Sequence, residues 1–248
     1  LNGTKDSIAI NGELISDEDE NTKKIPRIIQ DNKVDGVILL GQVKDSYIET
    51  IHSIFDNFIL LDFYSDNPLF DSISNDNFYC SYILTKHIID MGHKQLTFVG
   101  NYKATTSILD RYSGFIKALV ENNISLEKEN VIFDRKDDSA IIDIKLPQDL
   151  KGTTAFICNC DETAGKLIKL LSERGIKVPE DVSVTGFDNY VSDGNNSVPI
   201  TTISINPEDT ANVAADLLIK KITNQPYIKG RHIISGKIID RESVKSFW

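Results

Sequence analysis

Short apolar runs alternate along the chain with longer amphipathic segments. The apolar runs have the length of strands and read as continuous Val, Ile and Leu, which is typical of parallel strands buried on both faces. They occupy residues 7–10, 36–40, 58–63, 95–99, 131–133, 154–158 and 182–187, with a late strand at 232–239. Strands and helices that alternate this regularly predict an α/β fold built on doubly wound parallel sheets.

The amphipathic segments carry the periodicity of helices that bury one face. They predict helices at residues 21–32, 46–55, 77–91, 110–122 and 161–174, and a further helix that begins at Pro207. Local signals support several ends: Asp161 is a natural N-cap after an apolar strand, and Gly175 is suited to end the helix before it. In the last helix, Leu217 and Leu218 belong to the apolar face.

Composition and charge exclude several classes of protein. No stretch of the 248 residues approaches the roughly 18 apolar positions that a membrane span needs, and the polar start lacks a secretory signal. Three cysteines are too few for a disulfide framework, so we expect a cytoplasmic protein without membrane contact. The net charge of −10 argues against nucleic-acid binding by this stretch itself.

Polar side chains directly after strands are the first candidates for a site, because ligands of open α/β sheets bind outside the carboxyl ends of the strands. Four groups qualify: 76–77, 101–107 with Arg111, 159–161 and 188–189. No glycine-rich phosphate loop follows any strand, which disfavours a nucleotide enzyme. Cys158 and Cys160 lack further ligands at zinc spacing, so neither a metal nor a cofactor is expected, and buried structural cysteines are favoured.

Three ordered stretches carry a resemblance to a known family. The first is DN at 76–77 with MGHKQLTFVG at 91–100, and the second is DRYSGFIKAL at 110–119. The third is CDE at 160–162 followed by GIKVPEDVSVTGFDN at 175–189 and PITT at 199–202. In this order they resemble the effector-binding domain of lactose-repressor-type (LacI/GalR) transcriptional regulators, from about residue 7 to the C-terminus.

The resemblance implies two doubly wound lobes around a ligand cleft, as in periplasmic binding proteins, with the chain crossing between them three times. We expect the N-terminal lobe at 1–94 with 203–229 and the C-terminal lobe at 95–202 with 230–248. A ligand that contacts both lobes would favour one hinge angle. The family's helix-turn-helix and the first strand and helix of its effector domain are expected to be missing from this sequence. In the intact regulator, the resemblance implies that a homodimer binds operator DNA through that N-terminal helix-turn-helix.

The resemblance also nominates ligand-binding residues, each with a plainer alternative. The planar guanidinium of Arg111 would suit paired sugar hydroxyls or a carboxylate, or Arg111 is a surface residue at a helix start. Asp188 would accept two hydroxyl donors or cap a turn. Asp76 would bind a hydroxyl or serve as an N-cap.

Three further residues are candidates with weaker support. Cys160 occupies the position where many family members have an effector-contacting Asn, and a thiol is a poorer donor. Thr106 and Ser107 would line the cleft or make turn hydrogen bonds. Asp161 is better explained as a helix cap than as a ligand group, and His93 as a structural residue at a helix end.

We therefore expect the effector-sensing and dimerisation domain of a bacterial LacI-family repressor, which binds a small polar molecule such as a sugar or sugar derivative. The same residues would also hold a nucleobase or a sugar acid. The alternative is a sugar-binding protein of a transport system, which shares the two-lobe fold. An enzyme is not expected, because no residue pair joins a nucleophile to a base; one that used Asp188 and His93 would turn over its ligand.

Overall fold

The computed structural model describes residues 9–127, 130–137, 139–190 and 198–247. Seven helices of this described part are α1 (Asp17–Thr22), α2 (Arg27–Gln30), α3 (Asp45–His52), α4 (Asn77–Asp90), α5 (Thr106–Glu121), α6 (Asp161–Glu173) and α7 (Pro207–Ile222). Its strands are β1 (Val37–Leu40), β2 (Phe58–Leu61), β3 (Ser72–Asn75), β4 (Leu96–Val99), β5 (Val131–Ile132), β6 (Ala155–Cys158), β7 (Ser183–Thr185), β8 (Thr202–Ser204), β9 (Arg231–Ile234) and β10 (Lys237–Ile239).

These elements form two compact units. The first contains the chain up to Ser72 together with Asn212–Gly230, and the second contains Ile73–Ala211 together with the chain from Arg231 onwards. The predicted lobes share this interleaved order, but they divide the chain about 20 residues later, after residue 94 instead of 72. The lobe limits therefore stay a prediction, while the α/β class with parallel sheets is confirmed.

In the first unit, β1 and β2 pair in parallel, with Val37 opposite Phe58 and Leu40 opposite Leu61. The core beside this pair is aromatic and aliphatic, and includes Tyr47, Ile48, Ile51, Phe58, Leu60 and Phe63. The prediction of one helix at 21–32 is wrong, because two short helices, α1 and α2, occupy this region. Pro26 separates them, since proline lacks the N–H that a continuous helix would need there.

In the second unit, four parallel strands form a sheet in the order β5-β4-β6-β7. Every residue of β4 and β6 is buried, as the continuous apolar runs predict. Residues of α5 pack on one face with Phe98 and Ile157, and residues of α6 pack on the other with Val99 and Phe156. Helices thus pack on both faces of the sheet, and the carboxyl edge of the sheet carries the polar residues considered below.

Smaller sheet elements of the second unit were partly missed. The late strand at 232–239 is two strands, β9 and β10, and β10 pairs antiparallel with β8. Gly236 lies between them where a Cβ atom would approach Ile203 Cγ2 to 2.7 Å, so a side chain would not fit. Half of the predicted strand at 7–10 lies outside the described residues, and the other half, 9–10, forms no strand. Among described residues, no helix has the length and apolar character to span a membrane.

Candidate functional site

The carboxyl edge of the β5-β4-β6-β7 sheet brings polar residues from four segments together. Asn101 follows β4, Asp134 follows β5, Asn159 follows β6 and Asp188 follows β7. Neighbouring parallel strands end at the same edge of a sheet, so these side chains meet although they are far apart in sequence. Arg111 joins them from the second turn of α5, the helix that follows β4.

Arg111 is the centre of this group and is only 6% exposed. Its Nε donates to Asn77 Oδ1 at 2.8 Å, and its Nη1 donates to the Asn159 carbonyl at 2.6 Å. The Nη2 atom lies 3.0 Å from Asp188 Oδ1, which forms an ion pair. The guanidinium Cζ also lies 3.8 Å from the centre of the Phe187 ring. Arg111 is therefore fixed by four partners and is not a surface residue.

Asp188 connects this buried group to solvent. Its side chain remains 36% exposed, whereas that of Arg111 is 7% exposed. The backbone of Asp188 has a φ of 92°, a left-handed region that costs energy for a residue with a Cβ atom and is often found at ligand sites. The pair presents one carboxylate with accessible oxygens, held in place by a charge-assisted hydrogen bond. Such a group accepts hydroxyl or amine donors.

Asn77, which the strand-end rule named together with Asp76, is brought beside Arg111 by the fold. Its side chain is 1% exposed, and the amide nitrogen Nδ2 has no hydrogen-bond partner among the described residues. A buried donor without an acceptor is costly, and such donors are usually satisfied by water or a bound molecule.

Asp161 holds the Asp188 loop against α6. Its Oδ1 accepts from the Thr202 hydroxyl at 2.7 Å, and its Oδ2 accepts from the Tyr190 N–H at 2.8 Å. Its own N–H donates to the carbonyl of Phe187 at 2.9 Å. Burial, together with the nearby charge of Asp188, raises the pKa of this carboxyl to about 7. The prediction that Asp161 caps α6 is wrong, because Cys160 is the N-cap and Asp161 is the first helical residue.

Asp134 is a second carboxylate that sequence reasoning missed. It is fully buried, and its oxygens accept from the Asn101 N–H, Asn159 Nδ2, the Thr163 hydroxyl and the Arg135 guanidinium. Burial opposes its ionisation, but the bonds with Arg135 and Thr163 outweigh this and lower its pKa. Because Asp134 directly follows the predicted strand at 131–133, the strand-end rule would have found it.

The remaining predicted residues include three at the starts of α4 and α5. Asp76 is the N-cap of α4 and accepts from the Tyr79 N–H at 3.2 Å. Thr106 and Ser107 lie in the first turn of α5, which begins four residues earlier than predicted because Thr105 caps it. Both of them make interactions, so neither is a free loop side chain.

Cys160 and His93 both have hydrogen-bond partners within the protein. The Cys160 Sγ lies 3.3 Å from Thr163 Oγ1, and burial raises the pKa of its thiol. Cys158 is buried in the core, and Cys160 is partly buried at the start of α6. His93 is buried, with Nδ1 3.0 Å from Thr154 Oγ1 and Nε2 2.9 Å from the Lys245 carbonyl. Within the described residues, no cluster of three or more metal-ligating side chains occurs.

Comparison with known proteins gives consistent relatives. The sequence profile of the family described as periplasmic binding protein-like domain matches residues 85–244. The HTH-type transcriptional repressor PurR of Histophilus somni is 31% identical over 241 residues, which cover 91% of this chain and 71% of that protein. The chain thus spans about 70% of the length of this repressor.

Solved structures agree with the sequence relatives. A LacI transcriptional regulator from Bacillus cereus subsp. cytotoxis superposes with a TM-score of 0.76 at 25% identity, covering 90% of this chain and 80% of that one. A LacI family regulator from Enterococcus faecium with bound ribose superposes with a TM-score of 0.72 at 22% identity, covering 91% and 86%. These matches confirm the two-sheet, periplasmic-binding-protein-like fold expected from the sequence.

Proposed function

The chain belongs to the LacI-type family of transcriptional regulators, within the periplasmic binding protein-like domains, and we propose that it senses a sugar or sugar derivative through Arg111 and Asp188. This sequence covers the effector-binding portion of such a regulator. The observation that carries the ligand proposal is the fixed Arg111–Asp188 pair at the carboxyl edge of the sheet, with the carboxylate facing solvent.

The chemistry of the pair favours hydroxyl groups. An Asp188 carboxylate accepts two donors, and the adjacent guanidinium supplies a further N–H donor to a ring or hydroxyl oxygen. Asn77, which accepts from Arg111 Nε, has an amide Nδ2 without a hydrogen-bond partner among the described residues and is a further donor. One structural relative has bound ribose, which supports a sugar over a nucleobase or a sugar acid. Asp76, Cys160, Thr106 and Ser107 complete the proposed set of contacts.

The wider biology follows from the family. We propose that the regulator acts in the cytoplasm as a homodimer and represses transcription through a helix-turn-helix that binds operator DNA. The named relatives are transcriptional regulators and not enzymes, which favours this role over catalysis. For the same reason, a sugar-binding protein of a transport system is the less favoured function.

A calorimetric titration tests the ligand class. Ribose, other monosaccharides, disaccharides, sugar acids and nucleobases are each titrated into the chain, and the hits are repeated by thermal unfolding. A ligand at about 100 times its Kd adds about 2.7 kcal/mol to the free energy of unfolding, which raises the midpoint visibly. We expect saturable binding of a sugar, and we expect the sugar to be recovered chemically unchanged.

Matched variants connect binding to the pair. Asp188→Asn keeps the shape of the side chain and removes its charge, so we expect at least about tenfold weaker binding, equivalent to about 1.4 kcal/mol. Asp66→Asn removes the same charge at an exposed position and should leave the Kd unchanged. Equal affinity in the parent and Asp188→Asn would exclude Asp188 from the site, and selective binding of a nucleobase would replace the sugar proposal.

A further inference from the structure

The connection between β5 and β6 lacks the helix that a parallel crossover normally carries. Two parallel strands in one sheet are usually joined by an α-helix that covers the face of the sheet. Here the described residues of 133–154 contain neither a helix nor a strand. Loops longer than about 15 residues without secondary structure are uncommon in compact domains and are frequently functional.

This irregular loop is nevertheless anchored over the sheet. The guanidinium of Arg174, at the end of α6, donates to the carbonyl oxygens of Leu146 and Pro147, at 2.6 and 2.5 Å. The Asp143 N–H donates to the carbonyl of Asp134 at 2.7 Å. Leu146 is buried in the core cluster that α6 also joins. The loop is therefore held in place through its middle, at residues 143 and 146–147.

A cavity of about 680 Å³ lies beneath the loop. Its floor includes Thr97 and Phe156, which pair in register on β4 and β6 and point to the face that α6 covers. Phe133 and Ile141 form part of its apolar wall and are 39% and 76% exposed. The volume is in the range of small-molecule sites, which are mostly apolar with a few polar groups.

The charged residues of the rim select the kind of molecule. Arg135 is already paired with the buried carboxylate of Asp134. Lys151 forms an ion pair with Asp149, in which Nζ lies 3.6 Å from Oδ2. Lys136 and Lys145 also line the cavity and form no salt bridge with any described residue. Asp143 is the one lining carboxylate left without a described ion pair, so unpaired positive charge prevails in a chain of net charge −10.

We propose that this cavity is a second ligand site, which takes a small amphipathic organic anion. Its apolar body lies against the exposed side chains of Phe133 and Ile141, and its acidic head group pairs with Lys136 and Lys145. Burial of the apolar body supplies affinity, and two ammonium groups that form no ion pair with a described residue supply the selection for negative charge. The site is distinct from the Arg111 group, and the proposal does not depend on the nature of the effector.

Titration calorimetry of the chain with three molecules that each contain eight carbon atoms provides the test. Octanoate and octyl phosphate carry the two common acidic head groups, and 1-octanol carries none. We expect saturable binding of one anion per chain, at least about tenfold tighter than octanol, a difference of about 1.4 kcal/mol. Preference between the two anions then assigns the head group as carboxylate or phosphate.

Variants of exposed residues locate the bound anion without threatening the fold. The double variant Lys136→Gln, Lys145→Gln should weaken anion binding at least about tenfold, and Ile141→Ser should weaken all three ligands. The matched control, Lys94→Gln with Lys169→Gln, removes two exposed lysines of the same unit outside the cavity and should bind as the parent does.

Three results would overturn the proposal. They are the absence of saturable binding at millimolar anion, octanol binding as tightly as the anions, and an equal loss of affinity in the cavity and control variants. The last result would show that the anion responds to overall charge instead of this cavity.

Discussion

Arg111 and Asp188 lie 77 residues apart in the sequence, yet their side chains form an ion pair in which one partner is buried and the other meets solvent. The helix that follows β4 supplies the arginine, and the turn after β7 supplies the aspartate. The same guanidinium also binds the carbonyl that follows β6. A single side chain therefore links three segments at the carboxyl edge of the sheet.

Replacement of Arg111 should destabilise the fold. In Arg111→Ala the carbonyl of Asn159, the Asn77 Oδ1 and the Asp188 carboxylate lose their donor, and we expect a loss of about 3 kcal/mol in the free energy of unfolding. If Arg111 only lined a ligand cleft, its replacement would leave the fold intact. Urea unfolding decides between them, with exposed Arg27→Ala as the control. A stability equal to the parent's would contradict the structural role.

Asp161 should make stability depend on pH near neutrality. Its folded pKa is raised to about 7, whereas an unfolded aspartate titrates near about 3.9. Between these pH values only the folded chain binds the proton of Asp161. The contribution of this proton to the free energy of unfolding is therefore complete below the unfolded pKa and is lost as the pH rises through about 7. Asp188 and Arg241 are the charged groups that act on this carboxyl, with opposite effects.

Urea unfolding from about pH 5 to about pH 8 measures this dependence. Asp161→Asn stays neutral at every pH, so the decline of unfolding free energy with rising pH should be shallower than in the parent. Asp66→Asn, which removes an exposed carboxylate, should keep the parent's slope. If Asp161→Asn also kept that slope, the raised pKa of Asp161 would be disproved.

Leu217 should contribute strongly to stability. It is 3% exposed on α7, and Leu217→Ala should cost about 2–5 kcal/mol because it removes buried methyl groups and leaves a cavity. Ile219, two residues on, is 42% exposed, and Ile219→Ala should cost less than about 1 kcal/mol. Chemical denaturation of both variants gives the comparison. Equal losses would show that α7 does not bury the face that its pattern predicts.

The strands and the helices that cover them could be predicted from local pattern. The strand at 154–158 and the helix at 161–174 are found almost residue for residue as β6 and α6. Where an observed helix differs from the predicted one, a single local feature of the sequence explains the difference. Pro26 divides the predicted helix at 21–32, and Thr105 starts α5 a turn early by capping it.

The candidate site was only partly accessible to such reasoning. The strand-end rule and the family resemblance named Arg111 and Asp188, because both signals are written in short stretches of sequence. They could not show that Arg111 is buried, that Asn77 lies beside it, or that Asp161 holds the loop of Asp188. Each of these facts depends on residues tens of positions apart in the chain.

The sequence by itself therefore determined the α/β class, the family and the edge of the sheet where polar groups collect, since periodicity and strand ends are local properties of the chain. The tertiary structure alone decided which polar groups pair, how deeply each is buried and where the β5–β6 connection leaves a cavity. Burial and pairing set the strength of electrostatic interactions and the pKa values of carboxyl groups. Both arise only when distant segments pack together.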